Sequence, residues 1–428
     1  STQNVAVGFK PDLVWIKERG PNAENHNIYD SSRGAYKFLN SSSTSAEVQG
    51  GGGRLSAFTS TGFTVGSDNE INDNGSTYVA WCFKANGGTT SSNTDGAITT
   101  TVQANSALGF SIITYTGNGA STSTIGHGLN SAPELVLLKT RSHTSDWPVY
   151  SSETTNASYR LVLNSTTGQN TSNNPWNSTA PTSSVIHLGG SGNVNASGRT
   201  FVAYAFHSVA GYSKIGSYTG NGSANGPMVV TGFKPAFIMI KNATATYEWT
   251  IYDNKRSPAN PRGKVLYPNT TGAENSGENG DIDFFANGFQ IRGSEGSINQ
   301  NNGTIMYMAF ADDPDSTTPT LADSFNAVTY VGNGSATARN ITTGFKPDLT
   351  WIKGRDTSGK WHVWYDSIRG ATNMLASNVT NASTTYGSVT PFSTGFTLAT
   401  TGGDLNTNGE NYISWNWKAG GDASINTD

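Results

Sequence analysis

A carboxylate and a guanidinium recur three residues apart in this chain, as Asp30-Ser31-Ser32-Arg33-Gly34 and Asp366-Ser367-Ile368-Arg369-Gly370. Charges at that spacing in a turn support two chemistries. They pair with each other while the carboxylate collects backbone N–H groups, the usual habit of Asp in turns, or they grip sugar hydroxyls from a loop rim. Another copy carries Ser151 in place of the acid, which argues against a site common to all copies. Asp68-Asn69-Glu70-Ile71-Asn72-Asp73-Asn74-Gly75 sets oxygens at alternate positions, as calcium loops do, but Val79 stands where a bidentate Glu should close the loop. Asp68, Glu70 and Asn72 are the calcium candidates, against the plainer reading of Asn74-Gly75 as a type I′ hairpin turn. His26, His127, His143, His187, His207 and His362 show no metal-ligand spacing. His26 and His362 share a repeat position that other copies fill with Trp147 and Trp249, so a ring that packs or stacks is required there. Trp176, in Asn174-Pro175-Trp176-Asn177, lies in a polar loop without counterpart, placed either to stack on a sugar or partner or to tuck onto its own domain. Glycoside hydrolysis needs paired carboxylates. No acidic pair recurs between copies, so no catalytic residue is assigned, and a glycan-degrading site would have to lie in one degenerate copy.

These residues belong to a chain that repeats itself. Gly8-Phe9-Lys10-Pro11-Asp12-Leu13-Val14-Trp15-Ile16-Lys17 returns almost unchanged from Gly344 to Lys353, more loosely from Gly232 to Lys241, and with two extra residues from Gly128 to Lys139. The starts are separated by 120, 104 and 112 residues, a period that suits a small domain and is too long for a solenoid unit. Three of the copies open on a strand ending in a Tyr-x-Gly-Asn-Gly turn, at Tyr115 to Gly119, Tyr218 to Gly222 and Tyr330 to Gly334. The motif strand follows, apolar on both faces as a covered strand is. A third strand ends in Tyr29, Tyr150, Tyr252 or Tyr365, and the copy closes on Tyr78 to Trp81, Phe201 to Tyr204, Tyr307 to Phe310 or Tyr412 to Trp415. Alternation puts Val79, Trp81 and Phe83 on one face of the closing strand and Tyr78, Ala80 and Cys82 on the other. Trp15, Trp81, Trp351 and Trp415 are expected to be equivalent core residues. Cys82, the one cysteine, reads as a buried inert thiol.

Short β-branched and aromatic runs between Gly, Asn and Ser turns predict an all-β chain, a tandem array of four antiparallel β-sandwich domains. The expected layout is repeat one at 1–88, a Gly/Ser/Thr-rich linker at 89–106, repeats two and three at 107–210 and 211–311, an acidic, Pro-containing linker at 312–322, repeat four at 323–421 and the start of another linker at 422–428. The joint from Ser208 to Ser213 is so short that repeats two and three should pack together. Repeat one lacks the opening strand, and the chain reads as a window cut from a longer array. A net charge of −4 without a Lys/Arg cluster disfavours nucleic acid. No run of apolar residues is long enough for a membrane span.

The Gly-Phe-Lys-Pro-Asp-Leu-Val-Trp-Ile-Lys run, Tyr365-Asp366-Ser367-Ile368-Arg369-Gly370, and the close Tyr78-Val79-Ala80-Trp81-Cys82-Phe83-Lys84-Ala85 resemble a repeat of virion proteins of tailed, especially marine, bacteriophages. The likeness spans nearly the whole chain and is strongest in repeats one and four. It implies concanavalin A-like (lectin/LamG-type, jelly-roll) sandwiches in a tail fibre or other surface appendage, without enzymatic activity or cofactor. It also implies assembly as a homo-oligomer with other virion proteins, at the virion surface, with host-surface glycan as a further partner. A cell-surface carbohydrate-binding adhesin is the alternative. Trp176, His26, His362, Asp30, Arg33, Asp366 and Arg369 are the carbohydrate- or partner-binding candidates under either reading.

Overall fold

The structure, a computed structural model, describes residues 1–276, 280–311, 324–400 and 403–419. It is all-β, with 43% of residues in strand and 3% in helix. Two compact units divide the chain, Ser1–Ser316 and Thr317–Asp428. The recurring motif forms the strands Leu13–Glu18, Leu135–Thr140, Pro235–Asn242 and Leu349–Gly354. Each is led in by a glycine in the left-handed region, with φ of +87° at Gly8, +71° at Gly128, +91° at Gly232 and +92° at Gly344. An L side chain is strained there, so the motif's first residue is dictated by the backbone.

Around each motif strand the pairing is the same. It lies between the ring-bearing strand (Asn27–Asp30, Pro148–Ser151, Thr250–Asp253 or His362–Asp366) and the closing strand (Tyr78–Phe83, Thr200–Phe206, Thr304–Ala311 or Asn411–Trp417), all antiparallel. In repeats two to four the opening strand, Phe110–Thr116, Ser213–Thr219 or Phe325–Val331, pairs with the far side of the closing strand. Among the described residues repeat one has no such strand, and Tyr78–Phe83 is the edge of its five-stranded sheet. A smaller sheet covers one face of the large one. In repeat one Val14, Ile16, Tyr29 and Phe38 meet Leu55, Phe63 and Val65 in this way, with Tyr78, Ala80 and Cys82 against them. The expected alternation of the closing strand therefore holds, since Val79, Trp81 and Phe83 face a different cluster. Burial pushes the Cys82 thiol up to about 12.

Several expectations need correction. Leu13 opposes Phe83, Leu135 opposes Phe206, and Phe237 opposes Phe310, so Ile305 to Met308 is the equivalent of Tyr78 to Trp81. Sequence alignment had set Tyr307 to Phe310 there; a slip of two preserves strand parity and escapes detection from alternation. The Asn74-Gly75 turn does not join two strands but follows a single helical turn, Asn69–Asn72, matched by Gly192–Asn195 and Gly296–Asn299. Residues 89–106 are not a bare linker: Ser91–Asn93 and Thr100–Asn105 extend the repeat-two sheet to seven strands. Thr and Ser suit an edge strand as well as a linker, and composition does not separate the two. The 312–322 and 422–428 segments lie outside the described residues.

The largest correction concerns what covers the sheets. One apolar cluster in the first unit takes residues from repeats one, two and three together, including Trp15, Trp81 and Phe83, Leu137, Tyr204 and Phe206, and Met239, Met308 and Phe310. The packing expected between repeats two and three is present, and repeat one joins it. Trp15 and Trp81 are buried between repeats and not inside their own. Their counterparts Trp351 and Trp415, opposed in the same register, remain half-buried.

Candidate functional site

The first unit is closed by a cycle of equivalent contacts. Repeat two reaches repeat one, repeat three reaches repeat two, and repeat one reaches repeat three. The backbone bonds are Glu47 N–H to Arg141 O (2.7 Å), Gln169 N–H to Ala243 O (2.8 Å) and Glu274 N–H to Arg19 O (3.0 Å). The ring position supplies a second set. Trp147 Nε1 donates to Asn40 O at 2.9 Å, and Trp249 Nε1 donates to Val162 O at 3.0 Å. At the third junction His26 instead accepts from Trp15 Nε1 of its own repeat (3.0 Å), and Ser41 Oγ donates across to Pro268 O of repeat three (2.7 Å). Burial, then nearby Lys17 and Arg256, holds the His26 imidazole well below its ordinary pKa, so it packs as a neutral ring. At the centre Phe83, Phe206 and Phe310 form a triangle with centroid separations of 5.9, 5.2 and 5.9 Å.

The Asp–Arg motif belongs to this cycle. Asp30 and Arg33 are buried and paired, and Asp30 Oδ2 also accepts from Tyr204 Oη of repeat two at 2.7 Å. Desolvation opposes the Arg33 charge, but Asp30, Tyr204 and Glu47 outweigh it and raise its pKa. Arg33 Nη1 meets Glu47 at 2.9 Å, and Glu47 holds Arg141 of repeat two at 2.9 Å. In repeat three Asp253 Oδ2 takes Arg256 Nε at 2.6 Å and Trp81 Nε1 of repeat one at 3.1 Å, while Arg256 lies 5.6 Å over the Trp81 ring. The remaining closing-strand position in the first unit is Met308, which has no proton to donate, and at the acid's position in repeat two stands Ser151, with Thr154 in place of Arg. Acid, Arg and donor are thus present together or absent together. Trp81 and Tyr204 were not among the site residues read from sequence; the matching change at one repeat position in two strands was the signal for them.

Other candidates fall elsewhere. Trp176 is 1% exposed, edge-on to Tyr150 at 5.9 Å inside the repeat-two core, so its ring cannot stack on a ligand from solvent. Its loop instead presents Asn173, Asn174 and Asn177 to an open polar depression of about 540 Å³. Asp68 caps the helical turn through Glu70 N–H at 3.0 Å, and Arg54 binds Asp68 at 3.0 Å and Glu70 at 2.7 Å. Asn72 points its amide nitrogen at the carbonyls of Ser1 and Gly66. Asp68 and Glu70 thus serve the cap and an ion pair with Arg54, as in a structural turn. Among the described residues no cluster of three or more His, Cys, Asp or Glu could hold a metal, and no helix is long and apolar enough to cross a membrane.

In the second unit the same positions stand open. Its own core takes Ile352, Val363, Tyr365 and Tyr412. The opposite face of the six-stranded sheet carries Trp351, Trp364, Trp415, Trp417 and Phe325, all only partly buried, with Leu375 39% exposed. Trp351 lies 4.6 Å from Trp364 and 4.8 Å from Trp415, and Phe325 lies 5.1 Å from Trp417. Asp366 and Arg369 pair at 2.6 Å at the rim of this face, and His362 is half-buried beside Trp351.

Residues 1–314 and 320–428 match the family described as a domain of unknown function, DUF7483, and the chain belongs to it. No curated protein and no solved structure matches the chain.

Proposed function

We propose that this chain is a non-enzymatic structural component of a phage virion, part of a tail fibre or other surface appendage, built from four concanavalin A-like sandwiches. One observation carries the reading: the recurring residues with chemical potential, Asp30–Arg33 and Asp253–Arg256, are buried and used up in joining one repeat to the next. Side chains committed to framework contacts are what a rigid appendage needs, and they are unavailable for turnover. The sequence likeness to phage surface repeats supplies the setting. Contact with host-surface glycan belongs to the same proposal, and the amide-lined depression at Asn173, Asn174 and Asn177 is where it would occur, since clustered amides suit sugar hydroxyls. Antibody raised against the chain should label an appendage on purified virions and leave uninfected host cells unlabelled. Label on uninfected cells would overturn the virion assignment in favour of a cell-surface adhesin.

A further inference from the structure

The motif strand is apolar on both faces in every repeat, but only three of the four are covered on both. Every residue of Leu13–Glu18, Leu135–Thr140 and Pro235–Asn242 is buried, whereas Leu349–Gly354 alternates between buried and partly exposed. The uncovered residues are the equivalents of those that meet at the centre of the first unit. Leu349 and Trp417 oppose each other as Leu13 and Phe83 do, and Trp351 and Trp415 as Trp15 and Trp81 do. A contiguous face of four indoles, a phenyl and a leucine is far more apolar than an unpartnered surface requires. Among the described residues the buried indole nitrogens of Trp351 and Trp364 meet no hydrogen-bond partner.

We propose that this face binds the same face of two further copies of the chain, so that three second units close a ring of the kind the first unit builds within itself. The occupant follows from the contact pattern. A repeat joins the cycle by offering an indole or phenol donor on its closing strand to the next repeat's buried Asp–Arg pair, as Trp81 does to Asp253 and Tyr204 does to Asp30. Repeat four has both halves, the donor Trp415 and the acceptor pair Asp366–Arg369. One copy's Trp415 therefore fits its neighbour's Asp366, and the head-to-tail contact closes after three, as it does around Phe83, Phe206 and Phe310. Among the described residues the first unit has no face of this kind left over, because its three are buried on one another. The proposal holds or fails independently of whether the protein belongs to a virion.

Sedimentation velocity of the full chain tests it. The expected species has three times the 45.1 kDa chain mass. Leu375→Asp puts a charge on a residue that is already exposed, so the fold should survive, as far-UV circular dichroism would verify, while the mass falls to that of one chain. Trp415→Phe keeps an aromatic side chain but loses the N–H donor, and should weaken trimer formation by roughly tenfold or more. Thr390→Asp, on the small sheet away from the face, should leave the trimer intact. A wild-type chain that sediments as a monomer or dimer at micromolar concentration overturns the proposal, as does a trimer that survives Leu375→Asp.

Discussion

At the scale of single residues, the Asp–Arg motif shows how a pattern that looks like a binding site becomes a joint. A buried ion pair that loses one partner leaves an uncompensated charge, which costs about 3–5 kcal/mol. Asp30→Ala should therefore destabilise the first unit by up to about that amount in denaturant titration, because buried Arg33 keeps only Glu47 as an acid partner and the Tyr204 hydroxyl loses its acceptor. The reverse experiment is sharper. Ser151→Asp places a carboxylate in repeat two, where Thr154 offers no charge and the remaining closing-strand residue is Met308, and should also destabilise. Adding Thr154→Arg and Met308→Tyr should recover much of the loss; no recovery would mean that the three positions do not act together. The buried lysines make a second test. Burial pushes Lys139 and Lys241 down to about 8 from 10.5, so between those values the unfolded chain binds more protons and stability climbs with pH. Burial raises the Cys82 thiol to about 12 from 9.0, so stability is lost once the unfolded thiol ionises. The first unit's denaturation midpoint should rise from about pH 8 to about pH 9 and turn over above that, where unfolded tyrosines begin to ionise while burial keeps Tyr115, Tyr204 and Tyr218 protonated in the fold. Lys139→Met should flatten the rise, and a midpoint falling steadily across this range contradicts the sign.

At the scale of elements, repeat one shows an open place in an otherwise repeated pattern. In the other repeats the opening strand's Tyr115, Tyr218 and Tyr330 donate to the carbonyls of Val194, Ile298 and Leu405 at 2.6, 2.7 and 2.8 Å. Asn195, Asn299 and Asn406 then clamp the Gly-Asn-Gly turn, bonding Asn118, Asn221 and Asn333. Ile71 and Asn72 stand at those positions in repeat one, beside a cleft of about 650 Å³ lined by Val5, Ile16, Phe63, Tyr78 and Ala80. An edge strand with unpaired N–H and C=O groups beside such a cleft accepts an added strand. A synthetic peptide of residues 110–119 should bind the chain and raise the first unit's melting temperature, and its Tyr→Phe form should bind less well. A scrambled peptide that does as well would refute the site. The four recurring strands of a repeat, their order along the chain and the lack of an opening strand in repeat one were legible because alternation and turn residues are local signals, whereas Ser91–Asn93 and Thr100–Asn105 read as linker. What lies on a strand's second face is not local: Leu13 to Ile16 reads as covered, yet nothing in those residues says whether a helix, a sheet or another repeat does the covering. Trp176 was equivocal for the same reason, as a polar loop around an indole looks alike whether the ring turns in or out.

At the scale of the whole molecule, the repeat count and the number of folding units differ. Four motif copies give two compact units, since three copies share one apolar cluster and the fourth keeps its own. Cooperativity follows the shared core and not the period of the sequence. Phe83 touches Phe110, Phe206, Phe237 and Phe310, residues of both other repeats, so truncating it removes contacts from all three at once. Phe→Ala in a packed core costs about 3–5 kcal/mol, and here the loss falls on a structure whose parts cannot unfold singly without exposing the common centre. Calorimetry of the full chain should therefore show one transition for the first unit and another for the second. Phe83→Ala should lower the first and leave the second in place. Ile352→Ala, inside the separate core of repeat four, should do the opposite. If Phe83→Ala instead split the first unit's transition, with repeats two and three melting at their former temperature, the three repeats would be neighbours in contact and not one cooperative body.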